Sequence, residues 1–132
     1  MGARTQVKIN GHHHPVYLYA HWGAGLQTLE DVQKALKMQA RWDDPEYLTR
    51  IIFCRMVEDN IDGTTGFGIS TSMHGDLEEL IIVDTSNQKV YYMQNYGLHL
   101  TEFAADPKAG KQWTFKEFIK ADLEQFFETL KS

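Results

Sequence analysis

The most constraining stretch is the last one. Residues 114–130 read TFKEFIKADLEQFFETL, and within them Phe115, Phe118, Ile119, Leu123, Phe126, Phe127 and Leu130 recur at i, i+3 and i+4 spacing. That spacing gathers side chains into one stripe of an α-helix. Thr114 and Glu117 complete the T-x-x-E pattern in which each residue satisfies a free backbone N–H of the other, so the helix is predicted to begin there. A helix with so broad an aromatic stripe needs a second layer to cover it.

Alternating segments supply that layer. RTQVKIN (4–10) alternates around Val7 and Ile9, NGHHHP offers turn residues, and the next strand is expected over 16–22, giving an N-terminal hairpin. FGISTS reads as a short strand, while LEELIIVDT and KVYYMQ, joined by SNQ, read as a central hairpin rich in β-branched and aromatic residues. Two further helices are expected. One spans about 28–41, with Thr28 as N-cap and Leu29, Val32, Leu36 and Ala40 at helical spacing. The other starts at Asp44 with Pro45 in the first helical position, although the β-branched RIIFCRMV keeps a strand open as the alternative. The expected fold is α+β over 1–132 as one domain: an antiparallel sheet of about five strands, two or three helices on one face, and an amphipathic C-terminal helix. Five strands leave edges, which a homodimer or higher homo-oligomer would cover.

Composition narrows the partners. The net charge of −5 argues against a nonspecific grip on duplex nucleic acid, which depends on Lys and Arg neutralising phosphates. The longest apolar runs, IIFC and LIIV, are far shorter than the roughly 20 residues of a membrane span, and no targeting segment is visible. With one cysteine, Cys54, no internal disulfide forms, so the expected location is the cytoplasm.

Chemistry-bearing residues fall into a few groups. In YLYAHWGAG, alternation places Tyr17, Tyr19 and His21 on one face and Val16, Leu18, Ala20 and Trp22 on the other. The row of rings either packs under a second layer or stacks a planar ligand. DGTTGFGIST carries glycine amides and the hydroxyls of Thr64 and Thr65, which suit an anion, or else glycines needed for a turn; the G-K-[ST] ending of a phosphate loop is absent. Arg4, Arg50 and Arg55 are candidates for phosphate, with Phe67, Trp22, Tyr17 and Tyr19 for planar rings. His12, His14, His21 and His74 with Asp76 would be the ligands of a metal-dependent phosphodiesterase, but the H-x-H pair lies between glycine and proline, where the rings do not share a side. No catalytic residue, metal or cofactor is expected.

With these residues in view, MGART, YLYAHWGAG, DPEYLTRIIFCRMV and GTTGFGIST resemble small proteins of bacteriophages and prophages, and among named groups the phage Thoeris anti-defence sponge family. The resemblance covers residues 1–95. It implies a cytoplasmic oligomer in a bacterial host that binds cyclic ADP-ribose isomers or cyclic oligonucleotides without cleaving them, with ligand pockets between subunits. The function expected on this basis is sequestration of a small cyclic nucleotide signal. The alternatives are the metal-dependent hydrolase and an acidic inhibitor that binds protein.

Overall fold

A computed structural model describes residues 3–11, 13–94, 99–107 and 110–130. The chain is α+β, with six strands in one mixed sheet and five helices among the described residues. The strands are β1 (Thr5–Asn10), β2 (Val16–Ala20), β3 (Phe67–Ser70), β4 (Glu79–Asp84), β5 (Lys89–Gln94) and β6 (Lys111–Thr114), ordered β3-β2-β1-β4-β5-β6. Helices α1 (Leu26–Lys37) and α2 (Pro45–Val57) join β2 to β3; α3 (His99–Ala105), α4 (Phe115–Phe118) and α5 (Leu123–Leu130) follow β5.

Four expectations are corrected. The sheet is not wholly antiparallel: β1 and β4 run parallel, Thr5 opposite Glu79 and Ile9 opposite Val83. Val7, Ile9, Ile81 and Val83 on one face are fully buried, and on the other face Leu80 and Ile82 of β4 are buried opposite Gln6 and Lys8 of β1, so β4 is apolar on both sides, as strands in parallel pairs often are. The helices are not confined to one face. Those of α1, α2, α4 and α5 cover the larger core around Leu18, Ile81, Val90 and Trp113, whereas Leu100 and Phe103 of α3 pack on Leu80, Ile82 and Tyr91 of the other face. The strand count rises to six through β6, whose Trp113 lies opposite Val90.

The fourth correction concerns helix ends. α1 begins at Leu26 because Gly25, at φ +96°, takes the capping position, while the Thr28 hydroxyl donates to the Gly23 carbonyl at 2.8 Å from inside the helix. It stops at Lys37 because Gln39 and Arg41 adopt positive φ, and the Trp42 indole N–H donates to the Leu36 carbonyl at 3.0 Å. The C-terminal stripe is split in two. The Thr114–Glu117 capping box forms, but α4 ends at Phe118 and Asp122 caps a new helix by accepting the Gln125 N–H at 3.0 Å. Gln33 of α1 stabilises the break: its amide donates to the carbonyls of Phe118 at 2.9 Å and Ala121 at 2.8 Å. α2 starts as its sequence predicts, with Asp44 accepting the Tyr47 N–H at 3.2 Å and Pro45 in the first turn.

Candidate ligand-binding cleft

The row of rings on β2 is occupied by its own neighbours. Tyr17 is only 8% exposed, and its ring shares a sheet face with Lys8, whose ammonium donates to the Ala104 carbonyl at the end of α3 at 2.9 Å. Burial pushes the Tyr17 phenol up and the Lys8 ammonium down. The ring of His74 lies flat on Tyr19, with centroids 4.4 Å apart and planes within 15°. The Tyr19 hydroxyl is 3.0 Å from Nδ1 of His21, and Arg4 Nε–H donates to the same nitrogen at 3.3 Å. Since Arg4 is only a donor, Nδ1 is the acceptor and the His21 proton resides on Nε2. Arg4 also pairs with Asp76. Arg4, Tyr19, His21, His74 and Asp76 therefore form one polar cluster beside β1 and β2.

The free ring is Trp22. β2 ends at Ala20, and the bend that follows turns the indole out until it is 66% exposed, edge-on to His21 with centroids 4.5 Å apart. Gly66 turns the chain beside it at φ +96°, a backbone conformation that favours glycine, and a Cβ there would lie in ordinary contact with the indole, at 3.4 Å. The His21 N–H donates to the Gly66 carbonyl at 2.8 Å and ties the two segments together. Phe67 projects to the helical face beside Ala20.

Trp22 and Phe67 wall a cleft of about 260 Å³ whose polar lining includes Gln27 and Asp31 of α1 and Asp59 and Asn60 after α2. Asn60 donates to the Thr65 carbonyl at 3.4 Å, closing the glycine-rich loop over this end of α2. Asp31 is the unusual member. Its spacing to Thr28, Val32 and Ala35 puts it on the buried stripe of α1, where it is 4% exposed. Burial raises its carboxyl to about 6; the Gln27 amide, 3.3 Å from one carboxylate oxygen, and Lys34 pull it down, while Glu58 and Glu30 push it up.

Of the other candidate residues, Arg50 reaches the Cys54 sulfur at 3.7 Å, and Arg55 pairs with Glu58 at 3.5 Å while its buried Nε has no partner. Both stand apart from the cleft lining, as do the exposed Thr64 and Thr65. His12 lies outside the described residues, and among the described residues no three His, Cys, Asp or Glu side chains group to hold a metal ion. Nor is any described helix long and apolar enough to cross a membrane. A larger groove, about 420 Å³, runs along Leu26, Glu124 and Phe127, but Phe127 is engaged edge-on with Tyr92, centroids 5.5 Å apart.

The rings of the cleft were legible as rings; Gln27, Asp31, Asp59 and Asn60 were not foreseen. The available signal was a carboxylate among the Leu29, Val32 and Leu36 stripe of α1. Comparison of the chain with protein-family models, curated proteins and solved structures finds no match.

Proposed function

We propose that this is a non-enzymatic protein that binds and sequesters a small nucleotide signal, of the cyclic ADP-ribose or cyclic oligonucleotide class, and so counteracts bacterial defence against phage. The observation that carries the reading is that Trp22 and Phe67 wall one cleft together with amide and carboxylate groups at its sides. An exposed indole is a stacking surface, and stacking a base on such a ring is worth about 1–3 kcal/mol. The volume, about 260 Å³, is just below the roughly 300–1,000 Å³ of clefts that enclose whole drug-sized ligands, so it suits one base of a larger nucleotide. Two carboxylates at the cleft disfavour a phosphate inside it. The sugar and phosphates lie outward, toward His21 and Arg4 across the Trp22 ring. Edge strands β3 and β6, with Ile69 64% exposed on β3, support a homo-oligomer in solution.

A hydrolase is the second reading. It is favoured by Asp31, whose carboxyl is raised to about 6 in a cleft shared with Asp59, an arrangement that suits a general acid beside a second carboxylate. Overnight incubation with cyclic dinucleotides, followed by heat denaturation and mass spectrometry, separates the two. Intact ligand retained by the folded protein and released on heating is the result expected for sequestration, and stoichiometric excess turnover is the result that replaces it with hydrolysis. Light scattering at micromolar concentration is expected to show at least a dimer.

A further inference from the structure

Asp31 narrows the ligand. A carboxylate that is 4% exposed and set in a cleft wall has few chances to meet hydrogen-bond donors. The one donor described for it is the Gln27 amide, at 3.3 Å from one oxygen and 3.5 Å from the other, both long for N–H···O bonds. An ionised carboxylate accepts best from two parallel N–H groups, one to each oxygen. Among the common bases, the edge of guanine offers such a pair in N1–H and N2–H. Adenine presents its N1 lone pair in the same place, beside a single amino group. Set against a carboxylate, that lone pair is repelled. Asp59 on the same cleft reinforces the preference, since a second negative charge favours a donor-rich edge.

We propose that the cleft selects guanine over adenine, with the Asp31 carboxylate accepting N1–H and N2–H while the ring lies on Trp22. The inference rests on the nucleotide-binding reading and narrows it to guanine-containing cyclic oligonucleotides, since cyclic ADP-ribose isomers carry adenine as their one base. Gln27 and Asn60 carry the amide N–H groups suited to the O6 acceptor of the same base.

The test uses the native chain at pH 8, where Asp31 is ionised, and measures quenching of tryptophan fluorescence by guanosine, inosine and adenosine, with isothermal titration calorimetry as the second readout. Inosine keeps N1–H and lacks the amino group. Guanosine is expected to bind roughly 10- to 100-fold more tightly than adenosine, the usual worth of hydrogen bonds to a charged group, with inosine between them. In Asp31→Asn, folded as judged by circular dichroism, guanosine loses most of that advantage and adenosine does not weaken. Adenosine binding as tightly as guanosine to the native chain overturns the guanine assignment and leaves nucleotide binding standing. A folded Asp31→Asn chain that holds guanosine as well as its parent also overturns it. Absence of binding by all three nucleosides overturns this inference and the nucleotide-binding reading together.

Discussion

The imidazole of His74 covers the ring of Tyr19, with centroids 4.4 Å apart and planes within 15° of parallel. A ring already stacked by its own chain, and hydrogen-bonded through its hydroxyl to His21, behaves as packing. Tyr19→Ala is therefore expected to cost about 1–3 kcal/mol of stability, within the usual range for removing a partly buried, hydrogen-bonded side chain. Chemical denaturation measures it. Nucleotide affinity, determined at a temperature where the variant is folded, is expected to change less than it does in a Trp22 variant. A Tyr19→Ala chain that melts like its parent and loses binding would return the platform to β2.

Trp22→Ala reverses that pattern. The indole is 66% exposed, so its removal leaves little cavity and the melting temperature is expected to move by only a few degrees. Affinity for the stacked base falls by about 1–3 kcal/mol. Calorimetric titration and thermal denaturation of the same preparation check both halves.

Glu79 makes stability depend on pH. Its carboxyl is 1% exposed at the start of β4, and Oε1 accepts the Tyr92 hydroxyl at 2.6 Å and the Gly25 N–H at 2.9 Å. Oε2 and the Thr5 hydroxyl form no hydrogen bond of ordinary geometry, although Thr5 lies opposite Glu79 in the parallel register. Burial raises the carboxyl from its ordinary 4.5 to about 7, against the opposing pull of Tyr92, Gly25 and the nearby Thr5 hydroxyl. A carboxyl with a higher pKa folded than unfolded binds more protons in the native state, so stability falls as pH rises across that window. The loss between about pH 4.5 and 7 amounts to at most about 3 kcal/mol, and Asp31 adds a change of the same sign below about 6. Glu79→Gln is expected to flatten the profile. A variant whose urea midpoint climbs on acidification as steeply as its parent's would contradict this account.

Asp122→Ala tests the broken C-terminal stripe. Loss of the cap at α5 is expected to cost about 1 kcal/mol, read as a lower urea midpoint with an unchanged slope. If residues 114–130 instead joined into one helix, the variant would gain helical signal in the far-ultraviolet.

What could be read from the sequence is what depends on neighbours in the chain. Asp44 and Pro45 fixed the start of α2, Thr114 and Glu117 that of α4, and the short SNQ connection brought β4 and β5 together, because each signal acts over a few residues. The parallel seam was hidden because Val7 and Ile81 meet only through the folded chain, and an apolar run does not announce the direction of its partner. The end of α1 was hidden for another reason. Gln39 and Arg41 take positive φ without being glycine, so the stop is imposed by packing around Trp42. The cleft divides in the same way: Trp22 and Phe67 declare themselves by residue type, whereas Asp31 acquires its environment only when α2 and the loop beyond it close over α1.

The strand order carries a kinetic consequence. β1 to β3, with α1 and α2 between them, come from the first 70 residues, and β4 to β6 with the last three helices come from residue 79 onward. Each half pairs its strands within itself, and the sheet becomes continuous only when Thr5–Asn10 docks alongside Glu79–Asp84. Closing so long a loop is entropically the most demanding event in assembly, and parallel pairing of distant strands slows folding. Cleavage of the segment at 71–76 would leave two fragments, each with three strands and one bare strand edge, complementary to the other.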